Sequence, residues 1–169
     1  MKKIIAILLL FMFAGGMYYF SSQDGITSSK QSNTALKVIE EIREKVTLKD
    51  ERVISIKEKV FNTLKQYGSK SYVVRKLAHF SIYACIGIAM AYVIYLFSKR
   101  VLISSFLAFI LTAMYAYYDE FRQLSVIGRS GSLKDVFIDS LGAFSGILLF
   151  TILAGGIKSI KMIFTKREN

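Results

Sequence analysis

The chain contains no proline, no tryptophan, one cysteine and one histidine among its 169 residues. Without proline the helices lack their usual breaker, and without tryptophan only tyrosine and phenylalanine can form an aromatic belt. Cys85 has no second cysteine, which excludes an internal disulfide and a CxxC pair, and Cys85 with His79 alone cannot build a metal cluster. The simplest role for Cys85 is that of a small core residue.

Acidic residues are scarce, with 12 Asp and Glu against 23 Lys and Arg, so the net charge is +11. The composition is 53% hydrophobic with a mean hydropathy of +0.43, which is too apolar for a soluble domain of this size. The basic charge therefore favours attraction to anionic lipid head groups. No nucleic-acid motif accompanies it, so nucleic acid is not an expected partner.

Four apolar segments are long enough to cross a bilayer, which takes roughly 17 to 25 helical residues. Backbone groups in lipid must be paired internally, so each segment is expected to be a helix. The sequence predicts an all-α polytopic membrane protein, a single domain over residues 1–169 built as a four-transmembrane-helix bundle with an amphipathic helical outer region. The predicted spans are 4–20, 80–97, 101–118 and 136–157.

The first span has an alternative interpretation as a cleaved signal peptide. Lys2 and Lys3 provide a charged start, and small residues occur at 14–16. The apolar run continues as MYYF beyond them, which favours a retained helix.

The second and third spans are joined only by Ser98, Lys99 and Arg100, a tight hairpin. If all four segments cross the membrane, both termini lie on the same side as this hairpin. The positive-inside rule then predicts a cell-membrane protein with both termini in the cytoplasm. The basic residues on that side are Lys2, Lys3, Lys99, Arg100, Lys158, Lys161, Lys166 and Arg167.

Residues 24–74 form the predicted extracellular insert. The stretch DGITSSKQSN is interpreted as a polar linker. TALKVIEEIREKV then repeats Leu36, Ile39 and Ile42 at helical spacing, and a second amphipathic run at 51–68 ends at Gly68. Helices lying on the head groups, or capping the bundle, are the simpler interpretation, and a partner surface is the alternative.

Polar residues interrupt the apolar segments near one membrane face. Asp139 lies about one turn inside the last span, where a carboxylate must face the bundle or a wet cavity. Gly142 and Gly146 follow on the same stripe and favour close packing of another helix. In the predicted topology, helix two starts, helix three ends and helix four starts at this face, so their polar groups can converge. These groups are His79, Asp119, Glu120, Gln123, Arg129, Asp135 and Asp139, and Arg75 and Tyr83 share one face of helix two with His79.

Such a convergence permits chemistry. His79 could act as a general acid or base, Arg129 could bind a phosphate bidentately, and Asp135 or Asp139 could orient the imidazole. Arg75 or Lys76 could add positive charge. Equally, the same groups could form ion pairs that only seat the helices.

These motifs also resemble a known family. The chain carries FSSQ at 20–23, RKxxHFxxY at 75–83 and DExxQ at 119–123, followed by GRx5DVxxDxxG at 128–142. Their order and spacing resemble the VanZ-like family over residues 20–146. The resemblance implies a membrane protein of the cell envelope, from a family named for a protein linked to low-level teicoplanin resistance. It also implies kinship with membrane-embedded enzymes proposed to act on lipid head groups or lipid-linked wall precursors.

The resemblance places His79, Glu120, Arg129, Asp135 and Asp139 in a polar site, with Gln123 beside them. We predict catalytic roles for His79, Glu120, Asp135 and Asp139. We predict substrate binding by Arg75, Lys76, Tyr83, Asp119, Gln123 and Arg129. No cofactor and no metal are expected, although the acidic residues could still hold Mg²⁺.

Three functions remain open from the sequence. An enzyme would act on a phosphate-bearing lipid or polyprenyl-linked sugar. A binding module would hold a lipid or a lipoglycopeptide antibiotic without reaction. A transporter is disfavoured, because four helices with polar groups at one face provide no relay across the membrane unless the chain forms oligomers.

Overall fold

A computed structural model describes residues 1–45 and 69–167, with side chains described for 1–42 and 69–157. Within these ranges every regular element is an α-helix, which confirms the all-α prediction. The helices are α1 (Lys2–Ser21), α2 (Gly25–Lys45), α3 (Lys70–Ser98), α4 (Val101–Gln123) and α5 (Leu133–Arg167).

Four helices in the described ranges are long and apolar enough to cross a membrane. They are Lys2–Ser21, Lys70–Ser98, Val101–Gln123 and Leu133–Ile157. Each contains one of the predicted spans, so the four-helix membrane bundle is confirmed. The helices extend past the apolar segments, and α3 begins ten residues before residue 80 because Ser69 caps it, its side chain accepting from the Tyr72 amide at 3.3 Å.

Helix α3 is the centre of the bundle, since it packs most extensively against α5 and also contacts α1, α2 and α4. Glycines make the α3–α5 contact close. A Cβ on Gly146 would overlap the Ala84 carbonyl, a Cβ on Gly142 would overlap that of Phe80, and Gly87 lies against Ala143. The predicted small-residue stripe is therefore the surface that brings the two backbones together.

The stretch DGITSSKQSN is not a linker, because it is helical from Gly25 onward. Asp24 caps α2: its carboxylate accepts hydrogen bonds from the Thr27 amide and hydroxyl, each at 2.8 Å. The buried residues of α2 are Ser28 and Ser32, whereas Ile39 and Ile42, on the predicted apolar face, are exposed. The second predicted amphipathic helix, at 51–68, lies outside the described residues.

Candidate functional site

One end of the bundle collects the buried polar side chains. Here α1 and α4 end while α3 and α5 begin, and we call this region the polar end. Hydrogen bonds and ion pairs join all four helices there. Its buried polar residues are Ser21, His79, Asp119, Glu120, Gln123, Asp135 and Asp139.

A network of hydrogen bonds seats α1 on α4. Asp119 accepts from the Ser21 hydroxyl and, at 3.0 Å each, from Gln123 Nε2 and Arg122 Nη2. Arg122 also donates to Ser22 Oγ at 2.6 Å and lies over the Tyr18 ring. Both Asp119 oxygens therefore have protein partners. Asp119 holds helices together and does not line either cavity described below.

Arg129 fastens the loop between α4 and α5 to the end of α1. Its guanidinium donates to the carbonyl oxygens of Phe20 at 2.8 Å and Gln23 at 2.9 Å, and to Gln123 Oε1 at 3.2 Å. Three of its five N–H donors are used, which leaves two for a ligand. Burial lowers the pKa of Arg129, and the charge of Arg75 lowers this pKa further, although arginine stays protonated in proteins.

The loop beside Arg129 packs against the start of α2 at two glycines. Gly128 has a left-handed φ of 72°, and a Cβ on Gly25 would overlap the Gly128 carbonyl. The Gly25 amide donates to Ile127 O at 3.0 Å, so the start of α2 is fixed against this loop.

The cations at the start of α3 differ in their partners. Lys76 Nζ lies 2.5 Å from Asp135 Oδ1 and joins α3 to α5. Arg75 is half-buried and stacks near the Tyr72 ring. In the described part of the chain Arg75 has no carboxylate partner.

Beneath these cations, His79, Glu120 and Asp139 form a buried triad. One ligand atom from each residue lies within 4.8 Å of the other two. His79 Nδ1 is 3.6 Å from Asp139 Oδ2, which is too far for a hydrogen bond. Glu120 accepts from Gln123 Nε2 and from the Ser132 amide, both at 3.1 Å. The sequence argument excluded a cluster built from Cys85 and His79 alone and left acidic residues open as Mg²⁺ ligands; it did not predict that His79 would lie beside two of them.

Asp139 differs from the other buried carboxylates. It is 1% exposed, and neither of its oxygens has a hydrogen-bond partner among the described residues. His79 Nδ1 is likewise buried and without a partner there. Buried polar groups are nearly always hydrogen-bonded in proteins, so this pair has unused bonding capacity.

Two cavities adjoin the triad at His79 and share three lining residues. The polar cavity, about 250 Å³, has Arg75, Lys76, Arg129, Lys134 and Asp135 as its charged lining residues. The apolar cavity, about 270 Å³, is lined by Met17, Phe20, Val74, Ala78 and Ile82, among others. Arg75, His79 and Arg129 line both.

The structure thus separates the predicted site residues into groups. His79, Glu120 and Asp139 lie together, and Arg75, Lys76, Gln123, Arg129 and Asp135 line the polar cavity. Tyr83 lines neither cavity and lies in a core cluster with Met17 and Ile86.

Sequence reasoning missed Ser21 and Lys134. Ser21 lies within the quoted FSSQ motif and directly follows the first apolar run, which was a usable signal. Lys134 directly precedes Asp135, but nothing in its position in the sequence distinguishes it from an ordinary surface lysine.

Comparison with curated proteins and with solved structures gave no match. The model of the family described as VanZ/LLP1 matches residues 4–154, which covers all four candidate spans except the ends of the first and last. A match over this much of the chain confirms the family that the motifs indicated: the chain is a multi-pass membrane protein that belongs to the VanZ/LLP1 family.

Proposed function

We propose that this protein is a membrane-embedded enzyme that hydrolyses or transfers the phosphate-bearing head group of a lipid or a lipid-linked wall precursor. The observation that carries this proposal is the pair of adjoining cavities, one cationic and one apolar, with His79 in the wall of both. An amphiphile has the same division between a charged head and an apolar chain.

The polar cavity has the charge that a phosphate requires. Four basic side chains and one acidic side chain line it. Lys76 is neutralised by Asp135, but Arg75, Arg129 and Lys134 have no carboxylate partner within residues 1–42 and 69–157. Arginine binds phosphate through paired N–H groups, and Arg129 retains two unused donors.

The apolar cavity is suited to the first carbons of a lipid chain. Its wall comes from α1, α2 and α3, and the surrounding helices carry exposed apolar residues as membrane helices do. A chain lying there would bring its ester phosphate close to His79, since this residue lines both cavities. The reacting bond would then be next to the triad of His79, Glu120 and Asp139.

We further propose that the polar end faces outward from the cell membrane, with both termini in the cytoplasm. The basic hairpin at Ser98–Arg100 and Lys2 and Lys3 lie at the opposite end, where Lys3 Nζ is 4.4 Å from the centre of the Phe97 ring. Lys and Arg in short loops favour the cytoplasmic side. The polar end would then meet precursors and glycopeptides in the outer leaflet.

The direct test uses purified protein in nanodiscs with phosphatidylglycerol or with a polyprenyl-diphosphate-linked sugar. Phosphorus-31 NMR would follow head-group release. We expect His79→Gln to reduce turnover by about 10² or more, since it removes a group beside the reacting bond. Arg75→Gln should weaken substrate binding roughly 10- to 100-fold, the effect of losing a charge-assisted hydrogen bond. Arg100→Gln, a basic residue at the opposite end, is the matched control.

The cellular test is teicoplanin susceptibility in a Gram-positive host, because the family is linked to that phenotype. Wild type would be compared with His79→Gln, Arg129→Ala and Asp139→Asn at equal membrane abundance. Protection by wild type and failure of all three variants would support a functional cavity. Equal protection by the variants would contradict the proposal.

A second candidate is a non-catalytic module that binds a lipid or a lipoglycopeptide. It is favoured by the partners that Asp119, Gln123 and Asp135 already have inside the protein, because these residues hold helices together. Tight binding of phosphatidylglycerol without turnover of either substrate would select this candidate over the enzyme.

A further inference from the structure

We propose that His79, Glu120 and Asp139 bind a divalent transition-metal ion, Mn²⁺ or Zn²⁺, at the floor of the polar end. The proposal concerns metal binding itself. It does not depend on the proposed lipid substrate, because binding can be measured without one.

The geometry of the triad is that of a partly assembled metal site. Two ligand atoms bound to one ion at about 2.0–2.2 Å lie roughly 3.0–3.5 Å apart. His79 Nδ1 and Asp139 Oδ2 are 3.6 Å apart, close to that separation. One ligand atom from each of the three residues lies within 4.8 Å of the other two, so closure requires side-chain movements of about 1 Å.

The unused bonding capacity of Asp139 points to a ligand independently of this clustering. Both of its oxygens lack a hydrogen-bond partner in the described ranges, and the residue is 1% exposed. A buried carboxylate without a partner is strongly unfavourable. The adjacent His79 Nδ1 has the same deficit. One cation between these atoms would satisfy both residues together.

The neighbouring charges do not provide that cation. Lys76 bonds Asp135 at 2.5 Å, Arg122 bonds Asp119 at 3.0 Å, and Arg129 donates to carbonyl and amide oxygens. Each described Lys or Arg side chain at the polar end that forms an ion pair thus does so with a carboxylate other than Glu120 and Asp139. Within the described residues, the triad carboxylates therefore have no Lys or Arg partner.

The surroundings of Glu120 fit a metal ligand. Gln123 Nε2 donates to one of its oxygens and the Ser132 amide to the other, both at 3.1 Å. Such hydrogen bonds orient a ligating carboxylate and still leave lone pairs for an ion. One imidazole and two carboxylates favour Mn²⁺ or Zn²⁺ over Mg²⁺ and Ca²⁺, which prefer all-oxygen sites.

The test measures metal content and metal-dependent stability of the full chain in detergent. The protein would carry a streptavidin-binding tag, since a polyhistidine tag would itself bind metal. After EDTA treatment it would be dialysed against Mn²⁺ or Zn²⁺ with excess Mg²⁺ and analysed by mass spectrometry. We expect about one ion per wild-type chain and at least a tenfold loss of affinity in Asp139→Asn and in Glu120→Gln.

Asp24→Asn is the control, because Asp24 is a carboxylate outside the triad, and asparagine can still accept the capping hydrogen bond from the Thr27 amide. It should keep the wild-type metal affinity. Thermal stability gives a second readout. Without metal, Asp139→Asn should unfold at a higher temperature than wild type, because it removes a buried charge. Added metal should raise the unfolding temperature of wild type but not that of Asp139→Asn.

Two outcomes would overturn the proposal. In one, wild type holds no more Mn²⁺ or Zn²⁺ than Asp139→Asn. In the other, Asp24→Asn loses as much metal as Asp139→Asn. Metal binding without turnover of the lipids tested would leave this inference intact while contradicting the proposed enzyme activity.

Discussion

The ammonium of Lys76 lies 2.5 Å from Oδ1 of Asp135 and joins the start of α3 to the start of α5. The two side chains are only 14% and 11% exposed. Removing one partner of a buried pair leaves an uncompensated charge, which costs about 3–5 kcal/mol. We therefore expect Lys76→Met to lower the free energy of unfolding by an amount in this range, measured by denaturant titration in micelles.

The control for that prediction is Lys134→Met, since Lys134 is exposed and has no carboxylate partner in the described ranges. Lys134→Met should change the free energy of unfolding by no more than about 0.5 kcal/mol. The double variant Lys76→Met with Asp135→Leu should recover most of the lost stability, because it removes both charges together. A loss in the double variant as large as in Lys76→Met would contradict this account.

Gly146 should tolerate no side chain. A Cβ at this position overlaps the backbone carbonyl of Ala84, so Gly146→Ala must separate α3 from α5. Overpacking of this kind costs about 1–3 kcal/mol. Gly156→Ala on the same helix is the matched control, because nothing lies within 4 Å of a Cβ there. Thermal unfolding in nanodiscs compares the two, and equal midpoints would refute the close packing.

Tyr115 supports the contact between α1 and α4. Its hydroxyl donates to the Ala14 carbonyl at 2.7 Å. Tyr115→Phe removes this hydrogen bond and should destabilise the bundle by about 0.5–1.5 kcal/mol. Tyr117→Phe is the control, because Tyr117 is 57% exposed. Denaturant titration of both variants checks the prediction, which fails if Tyr117→Phe is the more damaging change.

Asp24 should make the first turn of α2 sensitive to acid. Hydrogen bonds from the Thr27 amide and hydroxyl lower the pKa of Asp24 below its ordinary value. Because the folded pKa is the lower one, the stabilising contribution is fully present above the unfolded pKa and is lost as pH falls through the folded value. The protection of the Thr27 amide against hydrogen exchange, relative to the intrinsic rate at each pH, should fall over that range. Asp24→Ala should show little protection at any pH, whereas Asp24→Asn should keep its protection without the acid response.

The sequence was sufficient for the four spans, because each contains an apolar run that only a membrane helix accommodates. It placed helix ends less well. Hydropathy alone ends the third span at residue 118, yet α4 continues to Gln123. The extra turn contains Asp119, Glu120 and Gln123, whose polar groups bond to other parts of the polar end. The extra turn of α4 is stabilised by partners that are distant in sequence, such as Ser21 for Asp119 and Ser132 for Glu120. A hydropathy window around residue 118 includes neither partner.

The same reason explains the error at DGITSSKQSN. Serine and asparagine have low helix propensity, so the stretch resembles a linker. In the structure Asp24 caps the helix, and Ser32 Oγ donates to the Ser28 carbonyl at 2.9 Å, which lets both serines be buried. Sequence spacing did indicate that His79, Glu120 and Asp139 lie at one membrane face. It could not indicate which polar groups are already bonded and which are left without partners.

The contact between Ser21 and Asp119 joins residues 98 positions apart in the chain. During synthesis, α1 leaves the ribosome long before its partner on α4 exists. Arg129, which fastens the end of α1 from the other side, is 109 positions from Phe20. The polar end therefore cannot assemble until the start of α5 has been synthesised. A chain interrupted before α5 has neither Asp139 nor a closed cavity, so a partially inserted protein presents no assembled site to the surrounding lipids.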